Sequence, residues 1–211
     1  MRYEIIDNSL FINNRKNFLD KVDKNSASVF VSNEFMPTNA DETLHFVQNT
    51  NLLYLTGIDQ EDTFLILAPN FPDKKMREIL FIKETSEEIA IWEGNKFTKE
   101  EARKISGIET IMWNNNFKNV LDLILAQTES IYLEKNEHIR SSTKIETPQD
   151  RFINEIKISH PTYRIKRSYP ILRELRMIKD KTEIDLIQKA CDITEKGFRR
   201  VLSYIKPNIW E

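Results

Sequence analysis

The sequence predicts an α/β protein: a central sheet flanked by helices, with a long helix at the C-terminal end. Two short apolar runs, residues 63–68 (TFLILA) and 78–83 (EILFIK), are nearly continuous. Strands of that kind are buried on both faces, which calls for helices above and below the sheet. Strand-like and helix-like segments then alternate, the order that gives layered α/β folds with much parallel pairing. Beyond Pro170 strand signals stop and a single long helical repeat takes over.

Each element has a local reason. Phe11, Phe18, Leu19 and Val22 share one face of a first helix. Residues 27–31 (ASVFV) read as a short strand. Residues 33–51 are polar and contain Pro37, Asn39 and Asp41, the chemistry of a loop. Residues 52–57 (LLYLTG) form a short apolar run that fits a helix with Gly57 just past its end. Residues 69–73 (PNFPD) supply the turn between the two apolar strands. Thr98 and Glu101 form a capping box for a helix that stops before Gly107. Residues 109–113 return as a strand. Phe117, Val120, Leu121, Ile124 and Leu125 mark an amphipathic helix. Residues 130–134 (SIYLE) are again strand-like. Thr147-Pro148 opens a helix to about Ser159, proline being at home in a first turn. Residues 163–168 are extended and basic. Asp180 and Glu183 cap a final helix that stops before Pro207. Its stripe is Ile184, Ile187, Cys191, Phe198, Val201 and Ile205, with Thr194 filling the 3-4 repeat. The domain boundary is expected near Pro170, giving units 1–170 and 171–211.

Composition narrows the chemistry. The 211 residues suit one large domain, or a domain with an appended piece. A chain of this length builds its own apolar core. Lys plus Arg number 31 against 33 Asp plus Glu, a net charge of −2. Without a basic excess, no nucleic-acid partner and no membrane partner is expected. The 4 glycines (57, 94, 107, 197) are too far apart for a dinucleotide fingerprint, a Walker A loop or a nucleophile elbow. One cysteine, Cys191, excludes an intrachain disulfide and a thiolate zinc cage; on the apolar stripe it reads as a buried thiol. His45, His138 and His160 are scattered and read as surface or hydrogen-bonded residues. No apolar run is long enough to span a bilayer. Residues 1–4 lack a signal peptide's apolar stretch, so a cytoplasmic location is expected.

No catalytic constellation is complete. The carboxylate pairs Glu61-Asp62, Glu87-Glu88 and Glu100-Glu101 read as solvated loop or helix-start charge. Arg164, Lys166 and Arg167 read as a solvated strand face. Two places stand out. Asp41 lies in the long polar loop with Thr38, Asn39, Gln48 and Asn49, and such loop residues often face a cleft. Trp92 precedes a glycine turn; by composition alone it reads as core filler.

Four ordered motifs carry a resemblance. Asn39-Ala40-Asp41, Gln48-Asn49-Thr50-Asn51 and Tyr54-Leu55-Thr56-Gly57-Ile58 make the first, and Gln60-Glu61-Asp62 before an apolar strand the second. Ile91-Trp92-Glu93-Gly94 makes the third. The fourth is residues 175–184 (LRMIKDKTEI) with Lys189-Ala190. Together they resemble the N-terminal domain of Xaa-Pro aminopeptidases (aminopeptidase P) and its junction with the catalytic domain. The sequence departs at Val47, where the family usually has arginine, and at Leu55, where it has phenylalanine.

The resemblance implies a creatinase-type domain with a six-stranded mixed sheet, residues 171–211 being a linker and the first helix of a pita-bread catalytic domain. It implies a metallopeptidase that removes an N-terminal residue preceding proline, using two manganese ions to activate a water. The family's five metal ligands match nothing here. No catalytic residue and no metal ligand is therefore expected in this chain, which is expected to be inactive alone. Asp41 and Trp92 match family positions near the active-site mouth and become substrate-side candidates. The implied partners are peptides with proline second, the chain's own catalytic domain, and further copies in a homo-oligomer. Prolidase-type dipeptidases share the plan. So do binding modules of histone-chaperone type, which usually carry acidic tails not seen here.

Overall fold

The computed structural model describes residues 5–141 and 144–208; residues 1–4, where a signal peptide was not expected, lie outside it. In chain order the elements are α1 (Ser9–Leu19), β1 (Ser26–Val31), α2 (Thr50–Thr56), β2 (Phe64–Leu67), β3 (Glu78–Ile82), α3 (Glu87–Glu93) and α4 (Lys99–Ser106). Then follow β4 (Thr110–Trp113), α5 (Phe117–Leu125), β5 (Ser130–Leu133), α6 (Pro148–Ser159), β6 (Arg164–Arg167), α7 (Tyr169–Met177) and α8 (Lys181–Tyr204). The strands form a 6-stranded sheet in the order β4-β3-β2-β1-β5-β6. β2 runs antiparallel to both β1 and β3, while β1–β5, β3–β4 and β5–β6 are parallel, so the sheet is mixed.

The capping signals act as read. Thr98 accepts from the Glu101 amide and Thr147 from the Asp150 amide, each in a closed capping box. Glu87-Glu88 and Glu100-Glu101 occupy the first turns of α3 and α4. Two helices were not foreseen. Glu87-Glu88 fit loop or helix-start charge and Trp92 the approach to a turn, with no helix assigned between them, yet residues 87–93 form α3, which buries no side chain. Without an apolar stripe, periodicity had nothing to detect. α7 was absorbed into the junction, but Leu172 is 1% exposed and packs into a core.

Contacts divide the chain into two compact units, residues 1–175 and 176–211. In the first, both sheet faces are covered, as the apolar runs require. One face carries Val29, Val31, Ile66, Ile79 and Phe81 under Phe117, Leu121 and Ile124 of α5 and Phe152 and Ile156 of α6. The other carries Phe30, Leu65, Leu67, Leu80 and Ile82 under Phe18 of α1, Leu52 and Leu55 of α2, Ala102 of α4 and Leu172 of α7. Alternate residues of β1 and β2 serve opposite cores, the two-residue period of a pleated strand.

The second face is tied together by a charge. Arg15 of α1 is 1% exposed. Its Nη1 donates to the carbonyls of Leu55 (2.8 Å) and Ser106 (2.9 Å), and its Nε to Glu78 Oε2 (2.8 Å). Burial pulls its pKa below the ordinary arginine value, and Glu78 pulls it back. Leu55 and Ser106 stand in the last turns of α2 and α4, where carbonyls lack helical partners and carry the negative end of the helix dipole. One guanidinium thus serves two helix ends and the first residue of β3.

The two helices also stop alike. Thr56 Oγ1 donates to the Leu52 carbonyl and accepts from the Ile58 amide. Ser106 does the same with Ala102 and Ile108. Gly57 then turns at φ 71°, and a Cβ there would stand 2.4 Å from the ring of Phe11. The neighbouring α1 residue, Ile12, fills the same place against Gly107.

The second unit is dominated by α8, capped by Asp180 and Glu183. Ile184, Ile187, Phe198, Val201 and Ile205 of its stripe are each at least half exposed. Cys191 is exposed as well, which corrects the expectation of a buried thiol. An apolar stripe marks a face that can be covered, and among the described residues its own unit holds no second element that covers it.

Gly57→Ala should cost about 2–4 kcal/mol, because a left-handed turn and an overpacked ring contact act together. Gly197→Ala, inside α8 with nothing within 4 Å of its Cβ, should cost nothing and instead favour the helix by up to about 1 kcal/mol. Urea unfolding of both variants checks this; equal stabilities would contradict the packing of α1 on the α2 terminus.

Candidate functional site

The register sets where a site can form. β1, β3, β4, β5 and β6 all point their carboxyl ends to one end of the sheet, and β2 begins there. Loops leaving that end provide the natural cleft of an open α/β sheet. An open cleft of about 470 Å³ is found there, lined by Glu34, Phe35, Asp41, Thr43, Glu61, Asp62, Lys83, Glu93 and Lys96.

Three segments frame it, and two glutamines hold them. Gln48 is 4% exposed. Its Nε2 donates to the carbonyls of Ile58 (3.2 Å) and Gln60 (2.7 Å), and its Oε1 accepts from the amides of Asn33 (3.3 Å) and Asn49 (2.7 Å). Gln60 Oε1 accepts from the Phe97 amide at 2.7 Å. The loop after β1, the approach to β2 and the segment after α3 are thereby pinned to one another. Of the polar loop residues, then, Gln48 faces inward as a tie. Asn49 caps α2 through the Asn51 and Leu52 amides. Thr38 closes a local turn on Glu42.

The cleft floor is charged. Lys96 Nζ lies 2.5 Å from Glu61 Oε1, both side chains 9% exposed. The same ammonium sits 5.7 Å from the centre of the Phe35 ring. Glu61 is therefore not the solvated loop charge that its type suggests. Lys83, one residue past β3, bonds Glu93 Oε2 at 2.6 Å and has Glu61 and Asp62 oxygens at 3.9 Å. The Glu93 hydrogen bond raises the Lys83 pKa above the ordinary lysine value and, reciprocally, lowers that of Glu93. Both directions agree on an ion pair.

Asp41 lines the cleft and has no side-chain partner among the described residues. Trp92 is 85% exposed, so the reading of core filler is wrong. It stands beside Glu93, which lines the cleft; Asp41 and the Trp92 segment thus reach the same opening. Sequence reasoning missed Lys83, Lys96 and Glu34. Their one available signal was that the Glu61-Asp62 pair lies between apolar segments, where a carboxylate needs a cation. Elsewhere, two of the three basic residues of β6 are paired: Lys166 with Asp23, and Arg167 with Glu137. Among the described residues no group of three or more His, Cys, Asp or Glu could hold a metal ion.

The fold is an α/β domain with an open cleft at the carboxyl end of its mixed sheet. Residues 11–132 match the family described as aminopeptidase P, N-terminal domain, and the chain belongs to it. The Xaa-Pro aminopeptidase of Haemophilus influenzae is 26% identical over 201 residues, covering 95% of this chain and 44% of that protein. Xaa-Pro aminopeptidase 3 of Dictyostelium discoideum is 27% identical over 165 residues, covering 75% of this chain and 29% of that protein. In three dimensions the chain is similar to aminopeptidase P from E. coli in its low-pH form, with a TM-score of 0.82 and 18% identity. That match covers 99% of this chain and 47% of the E. coli chain, and shows the shared fold. The chain spans less than half the length of these relatives. No helix among the described residues is long and apolar enough to cross a membrane.

Removing Glu61 should cost more than removing Lys96. Glu61→Gln strands a nearly buried ammonium, whereas Lys96→Met leaves Glu61 with Lys83 at 3.9 Å. Breaking a buried pair from the side that leaves the charge unpaired costs about 3 kcal/mol. Thermal unfolding of the two variants compares them; a less stable Lys96→Met would contradict the assignment.

Proposed function

We propose that this chain acts as the non-catalytic, substrate-access domain of a metal-dependent Xaa-Pro aminopeptidase. The observation that carries the reading is the pairing of family membership with an acidic cleft whose one partnerless carboxylate, Asp41, opens beside the exposed Trp92. Five carboxylates (Glu34, Asp41, Glu61, Asp62, Glu93) face two ammonium groups (Lys83, Lys96). A cleft of that sign attracts a peptide's protonated amino terminus. An exposed indole offers flat apolar area to a proline ring or a side chain.

In this reading the hydrolytic chemistry resides in the length that the relatives have and this chain lacks, and the two manganese ions belong there. When bound, such ions lower the pKa of a water and polarise the scissile carbonyl. The work of the present residues is to admit, orient and retain the peptide. The half-exposed stripe of α8 supplies a face for the chain's own catalytic domain, and further copies complete a homo-oligomer in the cytoplasm. The acidic cleft favours a peptidase domain over a protein-binding module through its match to free amino termini, a feature that the substrates of a prolidase-type dipeptidase share. The reading frame downstream decides: an ordered Asp, Asp, His, Glu, Glu set supports the peptidase, and its absence supports a binding module.

Two outcomes follow. The 211-residue chain, incubated with manganese and an Ala-Pro peptide, should release no proline; turnover that scales with chain concentration and survives repurification would contradict the reading. In a protein carrying the rest of the relatives' length, Asp41→Asn and Trp92→Ala should each raise KM about tenfold while kcat stays within about twofold. A fall in kcat at unchanged KM would remove both residues from substrate access.

A further inference from the structure

The segment that carries Trp92 is held unusually lightly. α3 has seven residues and buries none of them. A helix of two turns is not stable in water by itself, so its position depends on its attachments. Ile89 and Ala90 are only partly buried. At its start, Ser86 Oγ accepts from the Ile89 amide. At its end, Gly94 adopts φ 78° and ψ 170°, a backbone region that belongs to glycine, with nothing within 4 Å of a would-be Cβ. That end is therefore a pivot in open space, without packing to stop it.

Beyond this end the chain is next tied down at Lys96 and Phe97; within α3, Glu93 is held by an ion pair with Lys83, with a weaker attraction from Lys96. Glu93, the last residue of α3 and the neighbour of Trp92, receives the Lys83 ammonium at 2.6 Å. Lys83 follows directly on Ile82, a fully buried residue of β3, so its backbone is fixed to the sheet. The ammonium also has two other acceptors, Glu61 Oε1 and Asp62 Oδ2, each at 3.9 Å on the approach to β2. A shift of about one bond length hands it from the α3 carboxylate to these fixed ones. Releasing α3 thus leaves Lys83 solvated by charge in either position.

We propose that Lys83 is a positioning residue: through Glu93 it latches α3 to the end of β3 and so sets where Trp92 stands beside the cleft, with the Glu61-Asp62 corner as its alternative seat. The proposal rests on the substrate-side reading of Trp92. It differs from a stabilising role, because an ion pair whose Glu93 side chain is 46% exposed adds little to global stability. Its effect is confined to the segment between Ser86 and Gly94.

Amide hydrogen exchange of the full 211-residue chain, followed by mass spectrometry, tests it. In Lys83→Met the amides of residues 87–93 should exchange about two- to fivefold faster, the range set by an exposed pair. The amides of β3 and α4 should be unchanged. Lys83→Arg should restore the slow rate, and Glu93→Gln should reproduce the fast one, which keeps the test alive if Lys83→Met folds poorly. Unchanged exchange in residues 87–93 of Glu93→Gln, or acceleration spread evenly over β3 and α4, overturns the latch. Addition of Ala-Pro-Ala should slow exchange of residues 87–93 in the unmodified chain. If it does not, while the variants behave as stated, the substrate-side reading of Trp92 falls and the mechanical coupling of Lys83 to α3 stands.

Discussion

The burial of Arg15 is the constraint on which the rest of this domain depends. A guanidinium taken out of water must be met by acceptors on most sides, or it costs several kcal/mol. Here the acceptors are the carbonyl ends of α2 and α4 and the carboxylate that opens β3. The charge therefore fixes the relative placement of three helices and a strand in one step. α1 completes the arrangement sterically, with Phe11 against Gly57 and Ile12 against Gly107. Hydrophobic burial supplies the driving force on both sheet faces, but it is non-directional. The hydrogen bonds of Arg15 give it direction.

From that frame the cleft follows. With α2 and α4 stopped at Gly57 and Gly107, the chain leaves α2 directly into the Ile58–Gln60 carbonyls that Gln48 binds. Gln60 in turn holds Phe97, just before α4 begins. The floor of the cleft is built from nearly buried parts, Glu61 and Lys96. Its rim includes exposed ones, Asp41 and Glu93, with the exposed Trp92 next in the chain to Glu93. Under the proposed function, a fixed floor below a lightly held rim suits admitting a flexible peptide and closing on it, because low-stability segments are those free to move.

Most of the fold was legible in the sequence, for identifiable reasons. The runs 63–68 and 78–83 announced strands covered on both faces, and both cores confirm them. Thr98 with Glu101, and Thr147 with Pro148, gave helix starts that the capping boxes reproduce. α3 was invisible because nothing on it is buried; its only sequence signals are the Ser86 cap and the acidic first turn. The site was less legible. Glu61 looks like a surface charge until Lys96, far along the chain, is brought to it. Arg15 lies on a helix face that periodicity assigns to apolar residues. Thr56-Gly57-Ile58 and Ser106-Gly107-Ile108 repeat one helix stop, but nothing in that repeat names the guanidinium that binds a carbonyl at each end.

The central claim is that Arg15 makes α1, α2 and α4 one cooperative layer on the sheet. Native-state hydrogen exchange of Arg15→Met tests it most directly. In the unmodified chain, amides of these three helices should open with a free energy common to them and to β1 and β3. In Arg15→Met the helical amides should open at a lower free energy, by about 2–4 kcal/mol, while those of β1 and β5 change less. If α1, α2 and α4 still exchanged together with the sheet in Arg15→Met, apolar packing alone would suffice to hold the layer, and the account given for this domain would be wrong.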